Sequence, residues 1–91
     1  MKEYFVYILT NASRTVLYIG VTNNLQTRLA CHGNGGSSFT ARYAVYYLIY
    51  AERFTDITEA IAREKQLKGW TRRKKEELIA TLNPDWQFLN A

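Results

Sequence analysis

One carboxylate in this sequence stands where packing alone gives no reason for it. Glu64 follows Ile61 by three residues and precedes Leu67 by three, so it lies in the apolar stripe of a predicted helix. An unpaired buried charge is among the costliest features that a small domain can contain. We therefore expect Glu64 to have a partner, which is either a cation of the protein or a bound metal ion.

Two tyrosines, a basic pair and a glycine form a second set of chemically notable positions. Tyr7 and Tyr18 fall in the middles of two predicted strands and can face each other across a hairpin, an arrangement that most often reflects packing. Arg28 and His32 are spaced i, i+4 and project from one face of a helix, where a lone histidine is more often structural than catalytic. Gly20 lies within a strand, where glycine is unfavourable unless another group approaches its backbone closely.

Length and composition restrict the class of protein. Ninety-one residues, 47% of them apolar, predict a single globular domain over residues 1–91 with a modest core. No segment approaches the roughly 20 apolar residues that span a bilayer, and residues 1–10 read as a strand and not as a signal peptide. The single cysteine, Cys31, cannot form an internal disulfide and indicates a cytoplasmic protein. We expect no membrane partner, and the sequence leaves the oligomeric state open.

Positive charge is concentrated in one quarter of the chain. Residues 57–75 contain seven basic and two acidic side chains, a net charge of +5, whereas the whole chain has +4. Such a cluster is typical of proteins that bind a polyanion such as nucleic acid, although a solvated helical face explains it about as often. The candidate contacts are Lys65, Lys68, Arg72, Arg73, Lys74 and Lys75.

The hydrophobic pattern predicts an α+β fold in the order β-β-α-β-α-α, with a small three-stranded antiparallel sheet flanked by about three helices. Residues 3–10 and 15–22 are rich in β-branched and aromatic residues, and the turn-forming residues 11–14 join them into a hairpin. Residues 44–54 are apolar on both faces. This predicts a third strand that is covered on both sides or lies centrally.

The first predicted helix covers residues 23–32. Asn23 or Asn24 can cap its N-terminus, and Leu25 and Leu29 form a buried i, i+4 pair. A glycine-rich loop follows it.

Two further helices complete the prediction. Asp56 caps the second, with Glu59 completing a capping box, and Gly69 ends it. Thr71 caps the third, which ends before Asn83 because the next residue is proline. The positions expected to face the core are Ile57, Ala60, Ile61 and Leu67 in the second helix, and Leu78, Ile79 and Leu82 in the third.

Two tripeptides in the predicted hairpin resemble the signature of a known family. VYI at residues 6–8 and YIG at residues 18–20 are similar to the paired tripeptides of the GIY-YIG nuclease superfamily. The resemblance continues through Arg28, His32 and Glu64 to NPDW at residues 83–86, and so covers nearly the whole chain. The chain looks most like the small single-domain bacterial members, similar to the N-terminal nuclease module of the excision-repair subunit UvrC.

The resemblance implies a metal-dependent endonuclease that hydrolyses phosphodiester bonds. Glu64 would bind a single Mg²⁺ or Mn²⁺ ion; the alternative is a structural ion pair with Arg28 or a nearby lysine. Tyr7 would orient and deprotonate the attacking water, with His32 as its proton relay. Arg28 would stabilise charge on the phosphate, and Tyr18 would position the reacting groups. Gly20 and Asn83 are possible supports of the site.

The implied substrate is nucleic acid, DNA more than RNA, in repair or recombination. Arg42 and Tyr43 are additional candidates to line the substrate groove. Val6 replaces the glycine of the first tripeptide, and Val21 replaces a lysine that follows the second tripeptide in some relatives. Lys65, Lys68 or the basic run at residues 72–75 could substitute for it.

Few residues lie outside the resemblance, so no additional module for reading sequence is expected. Phosphate contacts provide affinity without sequence information. We therefore expect cleavage that selects nucleic-acid structure over sequence. Two alternatives stay open: a nucleic-acid-binding module with little or no catalysis, and an interaction domain in which the tyrosines only pack.

Overall fold

The computed structural model describes residues 2–33, 45 and 47–89, and the side chains of residues 30–33 fall outside that description. The predicted order of elements and the three-stranded antiparallel sheet are confirmed. Within the described residues, no helix is both long and apolar enough to cross a membrane. The elements are β1 (Tyr4–Thr10), β2 (Leu17–Thr22), α1 (Leu25–Gly33), β3 (Tyr47–Phe54), α2 (Ile57–Lys68) and α3 (Arg72–Leu82).

β1 is the central strand, in the order β2-β1-β3, and it pairs antiparallel with both neighbours. Every residue from Val6 to Thr10 is buried, because β1 has cover on both faces and a strand on each side. Val6 and Ile8 face α2 and α3, where Ala60 and Ile79 complete the larger core cluster. The alternating residues of β1 face α1. They form the second cluster with Leu48, Leu25 and Leu29.

The third strand is covered on both faces, as predicted, but it lies at an edge of the sheet and not at its centre. Leu48 and Ile49 of β3 belong to the two different core clusters. The C-terminal segment covers the outer edge, since the Leu89 amide donates to the Leu48 carbonyl (2.7 Å) and the Asn83 amide group donates to the Ile49 carbonyl (3.0 Å). These contacts satisfy backbone groups that an edge strand would otherwise expose.

Three of the predicted helix caps are confirmed. Of the two candidates for α1, Asn24 is the cap, because its side-chain oxygen accepts from the Thr27 amide (3.1 Å). Asp56 caps α2 and Thr71 caps α3 in the same way. α2 ends at Gly69 as predicted, although Gly69 has φ −82° and not the left-handed conformation.

Several predicted boundaries and core positions are wrong. β2 begins at Leu17 and β3 at Tyr47, later than the apolar runs suggest. Ile57 and Ile61 are 40% and 38% exposed, because α2 packs on the core through Ala60 and Leu67. Leu82 is 56% exposed in the last turn of α3.

A half-buried ion pair connects α2 to β3. Arg63 donates two hydrogen bonds to Glu52, from Nε (2.9 Å) and Nη2 (3.0 Å), and the Tyr50 hydroxyl donates to the same carboxylate. Burial of the Glu52 carboxylate opposes its ionisation, but the hydrogen bonds from Arg63 and Tyr50 outweigh that effect and lower its pKa. The pair therefore stabilises the fold when Glu52 is ionised.

Replacement of Glu52 by glutamine is expected to lower the free energy of unfolding at pH 7 by about 1.5–3 kcal/mol, the usual contribution of hydrogen bonds to a charged group. The folded pKa of Glu52 is below its ordinary value of about 4.3, so its stabilisation is present above that pH and is lost as the pH falls through the folded pKa. Denaturant unfolding from pH 7 to pH 3 should therefore show a smaller loss of stability in Glu52→Gln than in wild type.

Glu3→Gln is the matched control, because Glu3 pairs with Arg53 in an exposed ion pair. Such pairs contribute less than about 1 kcal/mol. A Glu52→Gln curve that parallels wild type through the acid range would contradict this account of the pair.

Candidate active site

The phenol of Tyr7 lies against the backbone of Gly20. Tyr7 is fully buried in β1 and pairs with Gly20 across the β1–β2 ladder. A Cβ atom added to Gly20 would lie 2.5 Å from the Tyr7 hydroxyl oxygen and 2.6 Å from Cζ. A glycine in this strand indicated that another group approaches its backbone closely. That group is the Tyr7 ring. Only glycine leaves room for it.

Tyr18 lies on the same face of the sheet as Tyr7 but is not directly opposite it. Leu9 is the direct partner of Tyr18, so the two tyrosines are diagonal neighbours. Their ring centroids are 6.4 Å apart, with the planes tilted by 39°. The contact contributes to packing and also places two phenols beside each other.

Arg28 joins these phenols from α1. Its Nε donates to the Tyr7 hydroxyl oxygen at 3.2 Å. The hydrogen bond to Tyr7, the charge interaction with it and a further hydrogen bond to Tyr18 raise the pKa of Arg28. Leu25 and Leu29 flank Arg28 and pack on the second core cluster, which contains Tyr7. This packing holds the Arg28 face of α1 toward the sheet. Because Arg28 itself is solvent-exposed, its guanidinium contacts a buried phenol while remaining accessible to a ligand.

The pKa of Tyr7 is raised above its ordinary value. Burial is the main cause; Arg28 acts in the opposite direction, and the charges of Tyr18 and Glu64 add to the rise. Arg28 is a nearby cation that would make this phenol more acidic, but burial outweighs its effect. Tyr7 is therefore a neutral phenol near pH 7.

Glu64 lies on α2 with its side chain only 17% exposed. Its carboxylate forms an ion pair with Lys68 Nζ at 3.3 Å, one helical turn away. Of the alternatives that the sequence left open, a nearby lysine and not Arg28 is thus the protein partner. The i, i+4 spacing from glutamate to lysine is the sequence signal that identifies it.

The site lies at the β2 edge of the sheet. α1 and α2 pack on opposite faces, and β2 is the edge strand on this side. The charge of Glu64 nevertheless acts on the Tyr7 phenol. The structure therefore brings Tyr7, Tyr18 and Arg28 together beside Gly20, whereas Glu64 lies on the helix that packs on the opposite face and interacts with Tyr7 through its charge.

The donor set around Glu64 suits only one class of metal. Within the described part of the chain, no three His, Cys, Asp or Glu side chains gather where they could hold a metal ion. Structural zinc requires several nitrogen or sulfur ligands, so Glu64 alone does not suit it. A hard divalent cation such as Mg²⁺ is held by one or two carboxylates, with water and substrate phosphate as its other ligands, and Glu64 fits that requirement.

The side chains of three predicted site residues lie outside the described part of the structure. The backbone of His32 lies in α1 one turn after Arg28, but its side chain is outside the described residues. Arg42 and Tyr43 are outside them entirely. The roles expected for these residues stay predictions.

The basic side chains of residues 57–75 have different surroundings. Lys68 and Lys75 line a groove of about 320 Å³ with Tyr18, beside the site. Lys74 lies over the Trp70 ring, 5.7 Å from its centroid, and Arg73 forms an exposed ion pair with Glu77. Lys65 is exposed on α2.

Arg72 connects α3 to the hairpin between β1 and β2. Its Nη1 donates to the Thr15 carbonyl (2.7 Å), its Nη2 donates to the Arg14 carbonyl (3.1 Å), and its Nε donates to Glu76. Arg14 has a positive φ of 60°, and its own side chain lies over the Phe88 ring. Arg72 therefore stabilises a strained turn, a role that its place in a basic run did not predict.

Asn83 is buried and stabilises the opposite edge of the sheet. Its amide group donates to the Ile49 and Gln87 carbonyls, and its side-chain oxygen accepts from the Gln87 amide. Its contacts therefore connect β3 with the C-terminal segment, at a distance of two strands from the β2 edge.

Similar proteins share this fold over nearly its full length. A UPF0213 protein of Natronomonas pharaonis is 38% identical over 79 residues, which are 86% of this chain and 92% of the relative. A UPF0213 protein of Clostridium perfringens is 40% identical over 78 residues, 85% of this chain and 83% of the relative. The solution NMR structure of a UPF0213 protein from Bacillus halodurans has a TM-score of 0.61 at 28% identity, covering 92% of this chain and 89% of that one.

The family model of the GIY-YIG catalytic domain matches residues 3–77. That range includes both tripeptides, α1 with Arg28, and α2 with Glu64. The chain therefore belongs to the GIY-YIG family of nucleases, as the two tripeptides indicated.

Proposed function

We propose that this protein is a metal-dependent endonuclease that hydrolyses phosphodiester bonds in nucleic acid. The observation that supports this most directly is the hydrogen bond from Arg28 to the buried Tyr7 phenol, at a strand edge where the charge of Glu64 also acts. A partner confined to the core would satisfy the hydroxyl of a purely structural tyrosine, whereas the partner of Tyr7 is an exposed guanidinium that remains accessible to a ligand.

Arg28 is the group that would meet the scissile phosphate. A guanidinium presents a planar set of donors that matches phosphate oxygens, and its interaction strengthens as negative charge accumulates in the transition state. Its Nε donates to Tyr7 and a further hydrogen bond reaches Tyr18, so the remaining donors of the exposed side chain are the groups that would meet a substrate. The same residue would thus orient both the phenol and the phosphate.

Tyr7 would orient the attacking water and accept its proton after losing its own. Because the phenol is neutral near pH 7, a proton must leave it before it can act as a base. His32 is the candidate relay, with an ordinary pKa near 6.5 for an imidazole. Tyr18 would hold the water or the phosphate beside Tyr7.

Glu64 would hold the divalent ion, Mg²⁺ or Mn²⁺. Bound there, the metal would supply positive charge to the phosphate and to the departing oxygen. The Lys68 ion pair is compatible with this role, because Lys68 is 55% exposed and such a pair is weak.

The substrate that we propose is DNA more than RNA, selected by structure and not by sequence. Lysines and arginines near the β2 edge contact phosphates, which position a nucleic acid without reading its bases. A role in DNA repair and a cytoplasmic location belong to the same proposal.

The second candidate function is a nucleic-acid-binding module with little or no catalysis. The raised pKa of Tyr7 favours it, because a neutral phenol is a poor base. Incubation with Mg²⁺ or Mn²⁺ over duplex, single-stranded, flap and branched DNA and RNA separates the two functions. Metal-dependent cleavage supports the endonuclease, whereas salt-sensitive binding without cleavage supports the module.

Tyr7→Phe is expected to reduce the cleavage rate by roughly 10²–10⁴-fold, the usual contribution of general acid–base catalysis. The ring and its packing against Gly20 are retained, so the melting temperature should change little. Tyr4→Phe, on the same strand but outside the site, is the matched control and should cleave at the wild-type rate. Full activity in Tyr7→Phe would rule out its role as base.

Gly20→Ala is expected to reduce cleavage at least tenfold by displacing the Tyr7 phenol from Arg28, since the new methyl group would overlap the ring. Overpacking of this kind costs about 1–3 kcal/mol, so the domain should still fold. In the control, Gly69→Ala, the nearest atom to the new Cβ is 3.5 Å away, and both activity and fold should persist. The cleavage rates of the two variants, measured with their melting curves, test the role of the contact.

Glu64→Gln is expected to abolish cleavage and the rise in melting temperature that Mg²⁺ or Mn²⁺ causes in wild type. The loss of its pair with Lys68 should cost less than about 1 kcal/mol, because the lysine is exposed. Glu77→Gln removes a carboxylate from an exposed pair on α3 and is the control for charge. The metal-ligand role is excluded if Glu64→Gln retains the metal-dependent shift in melting temperature.

A further inference from the structure

Lys68 belongs to two structural features at once. Its ammonium group pairs with the Glu64 carboxylate at 3.3 Å. The same side chain lines the groove that Tyr18 and Lys75 form along β2. Lys68 thus lies between Glu64, the candidate metal ligand, and a cationic groove that Tyr18 of the candidate active site lines.

We propose that Lys68 is a resident cation on Glu64 which a divalent metal ion displaces, and that the released ammonium then joins Lys75 to bind a phosphate of the nucleic acid beside Tyr18. The inference rests on the proposed function, because it assumes that Glu64 binds the metal. The exchange of Lys68 for the metal ion would make metal and nucleic acid bind cooperatively.

The first step follows from charge. Glu64 is mostly buried and offers one carboxylate, so a divalent ion bound to it would repel the ammonium 3.3 Å away. Lys68 is 55% exposed and has a four-carbon stem, so its ammonium can leave the carboxylate without any movement of α2. A weak pair whose lysine is exposed is readily replaced by a divalent ion that binds the carboxylate more strongly.

The second step follows from the lining of the groove. Leu17 and Ile19 form an apolar wall, and the hydroxyl-bearing Tyr18 lies between them in sequence. Lys68 and Lys75 supply the two ammonium groups, from α2 and α3. While Lys68 is paired with Glu64, the groove has the positive charge of one lysine. Once a metal ion is bound to Glu64, the groove has the positive charge of two lysines. A phosphate is the anion that the proposed substrate presents there.

Two measurements on the full chain test the exchange. The first is the affinity for Mn²⁺ alone, by calorimetry, in wild type, Lys68→Gln, Lys75→Gln and Lys65→Gln. The second is the affinity for a short DNA duplex, by fluorescence anisotropy, with Mn²⁺ and in chelator. The duplex titrations use a Tyr7→Phe background, and a denaturing gel verifies that the probe remains intact.

Lys68→Gln is expected to bind Mn²⁺ about two- to five-fold more tightly, since that is the range that an exposed ion pair contributes. The same substitution should weaken duplex binding several-fold with Mn²⁺. In chelator it should weaken duplex binding less than twofold, because the lysine of wild type is then paired with Glu64. Lys75→Gln should leave Mn²⁺ affinity unchanged and weaken duplex binding equally in both conditions. Lys65→Gln, which does not line the groove, should preserve the difference between the two conditions.

The exchange is overturned if Lys68→Gln binds Mn²⁺ as wild type does, or if it weakens duplex binding equally with and without metal. Glu64→Gln separates this failure from failure of the proposed metal site. If wild type and Glu64→Gln bind Mn²⁺ alike, the metal site itself is wrong and the exchange fails with it. If only wild type binds Mn²⁺ and Lys68→Gln has no effect, the metal site stands and the exchange alone is excluded.

Discussion

The contact between the Tyr7 phenol and the backbone of Gly20 is the constraint on which the site depends. It exists only in one register of the β1–β2 hairpin, because a shift by one residue would move Tyr7 to the other face of the sheet. The hairpin turn maintains that register: the Asn11 side chain accepts from the Thr15 and Val16 amides, and Arg72 of α3 donates to the turn carbonyls. A basic residue far from the site thereby helps to place its central phenol.

The two edges of the sheet have different surroundings, and the candidate site lies at one of them. The β3 edge is covered by the C-terminal segment, which Asn83 holds in place. At the β2 edge, Gly20 leaves space for the Tyr7 ring, Arg28 remains exposed, and Lys68 and Lys75 line a groove. In the proposed mechanism, the buried Tyr7 phenol would therefore meet its substrate from the β2 side, where Gly20 leaves room for the ring.

Most of the fold follows from local signals in the sequence, whereas the site depends on contacts between distant residues. Apolar periodicity and the caps at Asp56 and Thr71 predict the elements and their order, because each signal acts within one helix or strand. Periodicity fails for Ile57 and Ile61, since a three-stranded sheet is too small to cover the whole apolar stripe of α2. The interaction of Arg72 with the hairpin joins residues 57 and 58 positions apart, and no local pattern encodes such a pairing.

Net charge is an incomplete guide to how this surface attracts a polyanion. Of the seven basic residues between 57 and 75, Arg63 is paired with the half-buried Glu52 carboxylate, and Arg72 with the hairpin carbonyls. Lys68 is neutralised locally by Glu64. The attraction that remains comes mainly from lysines, which hold phosphates as point charges and keep their freedom to move. Lys75 and the Glu64-paired Lys68 both lie next to Tyr18, so lysine side chains adjoin one of the candidate catalytic residues.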